Sequence, residues 1–106
     1  MSRSYVLSEG AVTDLRDITR YTLETWGAVQ CRAYIADIER KADALARGEG
    51  LFKEMHDLLP GLRVALSGKH YLFCLPRQDK PAIILAILHE RMDVMRHLQS
   101  RFSGLK

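Results

Sequence analysis

The sequence predicts an α+β domain: an antiparallel sheet with an N-terminal strand, an α-helical hairpin on one face and a short C-terminal helix. Three observations carry that reading. Residues 71–75 and 82–88 are short apolar runs rich in β-branched and aromatic side chains, and the stretch from Pro76 to Pro81 between them makes a hairpin. Residues 11–26 and 31–46 carry apolar side chains at three- and four-residue steps. With little more than Gly27 between the two stripes, these helices must fold back as an antiparallel pair. A chain of 106 residues, 47% hydrophobic, has room for one core, so residues 1–106 form a single domain.

In chain order, residues 3–7 form a first strand, with Tyr5 and Leu7 alternating against Ser4 and Val6. Ser8 caps the first helix, whose inward stripe is Ala11, Leu15, Ile18, Thr22 and Trp26, with Val12 and Leu23 at its margin. Cys31, Tyr34, Ile35, Ile38, Ala42, Leu45 and Ala46 form the second stripe, and Gly48 and Gly50 stop that helix. Residues 51–60 are a compact connector pinned by Phe52, Met55, Leu58 and Leu59, ending in a Pro60-Gly61 turn. A strand over 62–66 returns through Ser67-Gly68-Lys69 into 71–75. Strict alternation along 82–88 sets Ile83, Leu85 and Ile87 on one face and Ala82, Ile84, Ala86 and Leu88 on the other. A strand apolar on both faces is an interior strand covered twice. Residues 93–102 close the chain as an amphipathic helix with Val94, Met95, Leu98 and Phe102 inward, and Gly104 ends the order.

Charge is divided unevenly. Residues 1–60 balance at −2 and residues 61–106 at +5, so the hairpin and tail form a basic surface suited to an acidic partner, protein or nucleic acid. Cys31 and Cys74 match no metal or redox spacing and read as buried, reduced thiols. The N-terminus lacks a signal-peptide core and no apolar run approaches a membrane span, so a cytoplasmic protein is expected. No cofactor is called for. The His89-Glu90-Arg91-Met92-Asp93 segment differs from the HExxH zinc motif in its last residue, and His89 ends a strand, so no metal site is expected. His89 reads as a strand-end histidine bonded to a neighbour. His56, His70 and His97 read as isolated surface or turn residues, Trp26 and Tyr34 as packing aromatics, and Tyr21 as an exposed contact.

The ordered segments Leu7-Ser8 with Ala11, Asp14-Leu15, Ile18, Tyr21, Trp26-Gly27, Tyr34 with Ile38, Pro60-Gly61-Leu62-Arg63, residues 70–75 and residues 87–93 resemble the ParE toxins of the RelE/ParE superfamily, including those of plasmid stabilisation systems. The resemblance spans nearly the whole chain. It implies a type II toxin that poisons DNA gyrase, has no catalytic chemistry of its own and is neutralised by a ParD-like antitoxin. RelE relatives on the same fold instead cut messenger RNA, so the site must decide. A nuclease reading would use Arg63, Lys69, His89 and Arg91 as acid, base and phosphate-binding groups. A third reading is a relative that only binds its antitoxin. For the gyrase reading, Arg91, Arg96 and Arg101 are expected to face outward as the contact surface. For the antitoxin, a helix is expected along the hairpin near Tyr21. A strand is expected near Arg63, over a second sheet face left partly open at Phe73, Leu75, Ile84 and Leu88.

Overall fold

Two antiparallel helices lie across one face of a five-stranded sheet in this computed structural model, which describes residues 4–102. The elements are β1 (Tyr5–Leu7), α1 (Glu9–Trp26), α2 (Ala28–Arg47), β2 (Lys53–Glu54), β3 (Arg63–Ser67), β4 (His70–Arg77), β5 (Lys80–His89) and α3 (Val94–Phe102). Ser8 caps α1 by accepting the Ala11 N–H at 3.0 Å, and Gly27 alone separates α1 from α2. Gly48, left-handed at φ 72°, ends α2. The helical hairpin and the β3–β4–β5 meander are where periodicity places them, because each buries one apolar stripe against the other.

The sheet order is β1-β5-β4-β3-β2. It is mixed rather than wholly antiparallel: β1 runs parallel to β5, with Tyr5 opposite Ala82 and Leu7 opposite Ile84. The connector contributes a fifth strand, since Lys53 and Glu54 pair with Val64 and Arg63. The β4–β5 hairpin is also longer than expected. Pro76 sits at an irregularity between Leu75 and Arg77 where the ladder needs no N–H from it, and only Gln78 and a left-handed Asp79 remain as the turn.

A second irregularity changes which side chains share a face. Phe73 lies opposite Ala86 while the next residue, Cys74, lies opposite Ile84, so Leu85 is an extra residue in β5. Leu85 and Ala86 therefore both point away from the helices, Ile84 and Ile87 both point toward them, and the strict alternation fails at this bulge. Ile84 belongs to the core under the helical hairpin, with Ile18, Ile38, Leu45, Leu72 and Cys74. Phe73 and Leu88 belong to a second core on the opposite face, with Leu62, Leu85 and Leu98.

That second face is covered, contrary to the expected opening. Met55, Leu58 and Leu59 of the connector close one end, and Val94, Leu98 and Phe102 of α3 close the other. Phe73 and Ile84 are buried and Leu75 is half-buried.

The bulge frees backbone groups on β5 beyond the reach of β1, and side chains take them up. Asp14 of α1 accepts the Ile87 N–H at 2.9 Å, while the Leu85 carbonyl accepts from the Ser8 hydroxyl at 3.0 Å and from Arg101 at 2.8 Å. Arg101 and Asp14 also form a two-pronged ion pair at 2.8 and 3.1 Å. Arg101 is thus turned inward as a clasp between α3, α1 and β5, and the expected outward orientation is corrected. The guanidinium lies so close over α1 that a Cβ at Gly10 would come within 2.6 Å of it.

Candidate functional site

The helical hairpin and the sheet part company at one end, and a groove of about 730 Å³ opens between them. Its outer wall is the tip of the hairpin: Asp17, Ile18, Tyr21, Thr22 and Trp26 of α1, with Gln30 and Tyr34 of α2. Its inner wall is the end of the sheet: Lys69, His70, His89, Arg91 and Met92. Three large apolar side chains are left exposed at this tip. Tyr21 is 65% exposed, Trp26 61% and Val29 75%. Trp26 is therefore not a core aromatic. Its position on the α1 stripe is regular, but the last turn of α1 stands over the groove.

Register builds the inner wall. His70 opens β4 and His89 closes β5, and the two are paired across the ladder with their rings edge to face at 5.1 Å. Tyr34 reaches them from α2 because the β3–β4 turn wraps its ring. Gly68, left-handed at φ 59°, would place a Cβ 2.6 Å from that ring. The Tyr34 oxygen accepts the Lys69 N–H at 3.0 Å and is paired with His70 Nδ1 at 2.5 Å; we assign Tyr34 as the donor of that bond, the Ser67 carbonyl at 3.5 Å being the more distant acceptor. His89 Nδ1 accepts the Arg91 N–H at 3.1 Å. Both Nδ1 atoms are acceptors, so the network assigns the proton of each neutral ring to Nε2.

Among the described residues neither Nε2 meets an acceptor, and no buried side-chain nitrogen or oxygen lacks a partner. Both Nε2–H groups therefore face solvent at the groove. Burial holds the His70 pKa down at about 4, with the neighbouring His89 adding to the effect and Asp14 and Glu90 opposing it. At neutral pH the inner wall presents two oriented N–H donors beside Lys69 and Arg91. It offers no free imidazole lone pair to take a proton.

The expected site residues are thus divided. Lys69, His89 and Arg91 come together, joined by His70 and Tyr34, which sequence reading leaves as an isolated histidine and a packing aromatic. Only the strand register reveals them. Arg63 lies at the other end of β3. It donates to the Leu45 carbonyl at the C-terminus of α2 at 2.7 Å and covers the Phe52 ring at 5.2 Å, so its charge is committed to a helix end. Tyr21 stands exposed beside the groove, as expected. Arg91 and Arg96 are exposed, while Arg101, Phe73 and Ile84 are not free surface. His89 ends a strand and Asp93 precedes α3, so these residues do not share the helical face that an HExxH site needs. Among the described residues no helix is long and apolar enough to cross a membrane.

Residues 5–94 match the family model described as the ParE toxin of the parDE type II toxin–antitoxin system. The chain belongs to the ParE toxin family. It is 52% identical over 101 residues to a Toxin ParE of Escherichia coli, covering 95% of this chain and 98% of that one. A Toxin ParE1 of Mycobacterium tuberculosis is 31% identical, covering 92% of this chain and all of its own length. Among solved structures, a chromosomal ParDE system from P. aeruginosa shares the fold with a TM-score of 0.65 at 18% identity, over 82% of this chain and 95% of that one. For this ParE family member, α1, α2 and the β3–β5 meander all fall inside the matched span, and so does the groove they form.

Proposed function

We propose that this ParE family member acts in the cytoplasm as a protein inhibitor that poisons DNA gyrase and is held inactive by a ParD-like antitoxin. The observation that carries this reading is the character of the groove. It offers exposed aromatic surface and fixed N–H donors, which suit binding, while the groups that cleavage of RNA needs are not assembled. Both imidazoles direct protons at the groove and keep their lone pairs engaged, and Arg63 is held at the far end of β3.

The antitoxin fits the same surface. An amphipathic helix laid along the hairpin would cover Tyr21 and Trp26, the most exposed of its aromatic side chains. β2 pairs with β3 only through Arg63 and Val64, which leaves the edge at Leu66 open to an added strand near Arg63, as does its 44% exposure. Leu75 can take part in such a contact at its half-buried edge, whereas Phe73 and Ile84 cannot. The name of the P. aeruginosa relative, a ParDE system, supports a ParD-like partner. The gyrase-facing surface we assign to Arg91 and Arg96 with the neighbouring exposed Met92 and Met95.

One experiment tests the activity. The purified protein is incubated with gyrase and supercoiled plasmid, and separately with translating ribosomes. Gyrase-dependent DNA cleavage complexes that the antitoxin abolishes are the expected result, and cut message without cleavage complexes would replace this reading with the endonuclease one.

A further inference from the structure

We propose that the inner wall of the groove is a carboxylate-recognition site, in which the Nε2–H groups of His70 and His89 hold an aspartate or glutamate side chain of the antitoxin. The proposal rests on the reading that the antitoxin fills this groove, and it names the chemistry that seats it there.

The two imidazoles are cross-strand neighbours 5.1 Å apart, each with its Nδ1 tied back to the protein and its Nε2–H open. Two donors carried on adjacent rings of a rigid ladder can serve one carboxylate without ordering any flexible side chain. Lys69 and Arg91 flank them and add positive charge. The remaining titratable groups set the direction of the ligand. Asp14, packed from α1, is already committed to Arg101 and the Ile87 N–H, and Glu90 is exposed beside His89. Asp17 stands on the opposite, α1 wall, so the groove is basic on the sheet side and acidic on the helix side.

A phosphodiester is the weaker match. The groove is walled largely by Ile18, Tyr21, Trp26 and Met92 and carries Asp17, and Glu90 stands exposed next to His89; both carboxylates repel a polyanion. A helix with one acidic residue on an otherwise apolar face meets every wall.

Recognition of this kind has an affinity signature. His70, with a pKa held down at about 4, donates as the neutral imidazole at neutral pH. Binding of the cognate ParD antitoxin would be measured calorimetrically at pH 7.5, with hydrogen-exchange protection mapped on the same complex. His89→Gln, which keeps a donor near the Nε2 position, should stay near the parent affinity, whereas His89→Leu should bind about tenfold more weakly. His70→Leu/His89→Leu should bind about 10- to 100-fold more weakly. Amide replacements of the antitoxin's acidic residues should then reveal one whose loss is not additive with His89→Leu.

Protection over the groove with leucine variants that bind as the parent does would overturn the carboxylate site and leave groove docking intact. Protection only elsewhere on the toxin would overturn both. Displacement of the antitoxin by a short RNA or DNA oligonucleotide, lost in the His70→Leu/His89→Leu variant, would show that the donors serve phosphate instead. Thermal melting of each variant separates a folding defect from a binding one, and His89→Leu tests the proposal even if the leucine double variant fails to fold.

Discussion

His70 shows how one position sets several properties at once. Held neutral by burial and by the neighbouring His89, it has a folded pKa of about 4 against an ordinary value near 6.5. Between those values the unfolded chain binds a proton that the folded chain does not, so the contribution of this group to stability is complete above pH 6.5 and is lost as pH falls toward 4. His70 is half-exposed, so solvent screening reduces the effect to about 1–2 kcal/mol. Urea unfolding at pH 7.5 and 4.5 should show His70→Gln losing less stability on acidification than the parent. Equal losses would mean that other groups carry the acid sensitivity. Gly68 tests the same cluster from the turn side. An alanine there meets both a left-handed backbone at φ 59° and the Tyr34 ring. Gly68→Ala should cost about 2–3 kcal/mol, measured as a shift in the urea midpoint, and should displace Tyr34 from His70. Cys74, in contrast, is an inert core thiol whose burial raises its pKa to about 11.

At the scale of elements, what the sequence made legible follows the reach of each signal. The α1 and α2 stripes, the Ser8 cap, the Gly48 stop and the connector anchors are local patterns, and they match the structure because the same residues set and read them. The bulge at Leu85 is different. Its cause lies in the pairing of β5 with β4, so a pattern of seven apolar residues cannot show where the alternation slips, and strict alternation puts Ile84 on the wrong face. The same limit applies to Arg101 and to the site. Arg101 is at an outward-looking position of α3, yet its partner, Asp14, is 87 residues away in the chain. His70 and His89 likewise become neighbours only through register. The clasp yields a prediction of its own. The pair is largely enclosed, with side chains 25% and 14% exposed, so removing one partner strands the other charge. Asp14→Ala should destabilise the fold by about 3 kcal/mol in equilibrium unfolding and should raise hydrogen exchange across α3 and at Ile87 ahead of the rest of the sheet.

At the scale of the whole molecule, the charge division of −2 over residues 1–60 and +5 over residues 61–106 acquires a structural meaning. The acidic half supplies the helical hairpin, and the basic half supplies the sheet end and α3. The cations of the second half do different work, however, and this separates two routes to lost toxicity. Arg101 is spent on Asp14 and the Leu85 carbonyl, whereas Arg96 projects from the exposed side of α3 next to Met95. Arg101→Glu should abolish poisoning by loosening α3, seen as a lower melting temperature and a weakened second core around Leu98. Arg96→Glu should leave the melting temperature and antitoxin affinity within error of the parent. It should still raise the concentration needed for gyrase-dependent DNA cleavage by about tenfold, because a reversed charge at a contact costs binding without costing fold. The two variants are compared by cleavage assay and thermal melting side by side. Unchanged poisoning by Arg96→Glu would remove the exposed side of α3 from the gyrase contact. Loss of poisoning by Arg101→Glu at an unchanged melting temperature would mean that Arg101 leaves its clasp to meet the target.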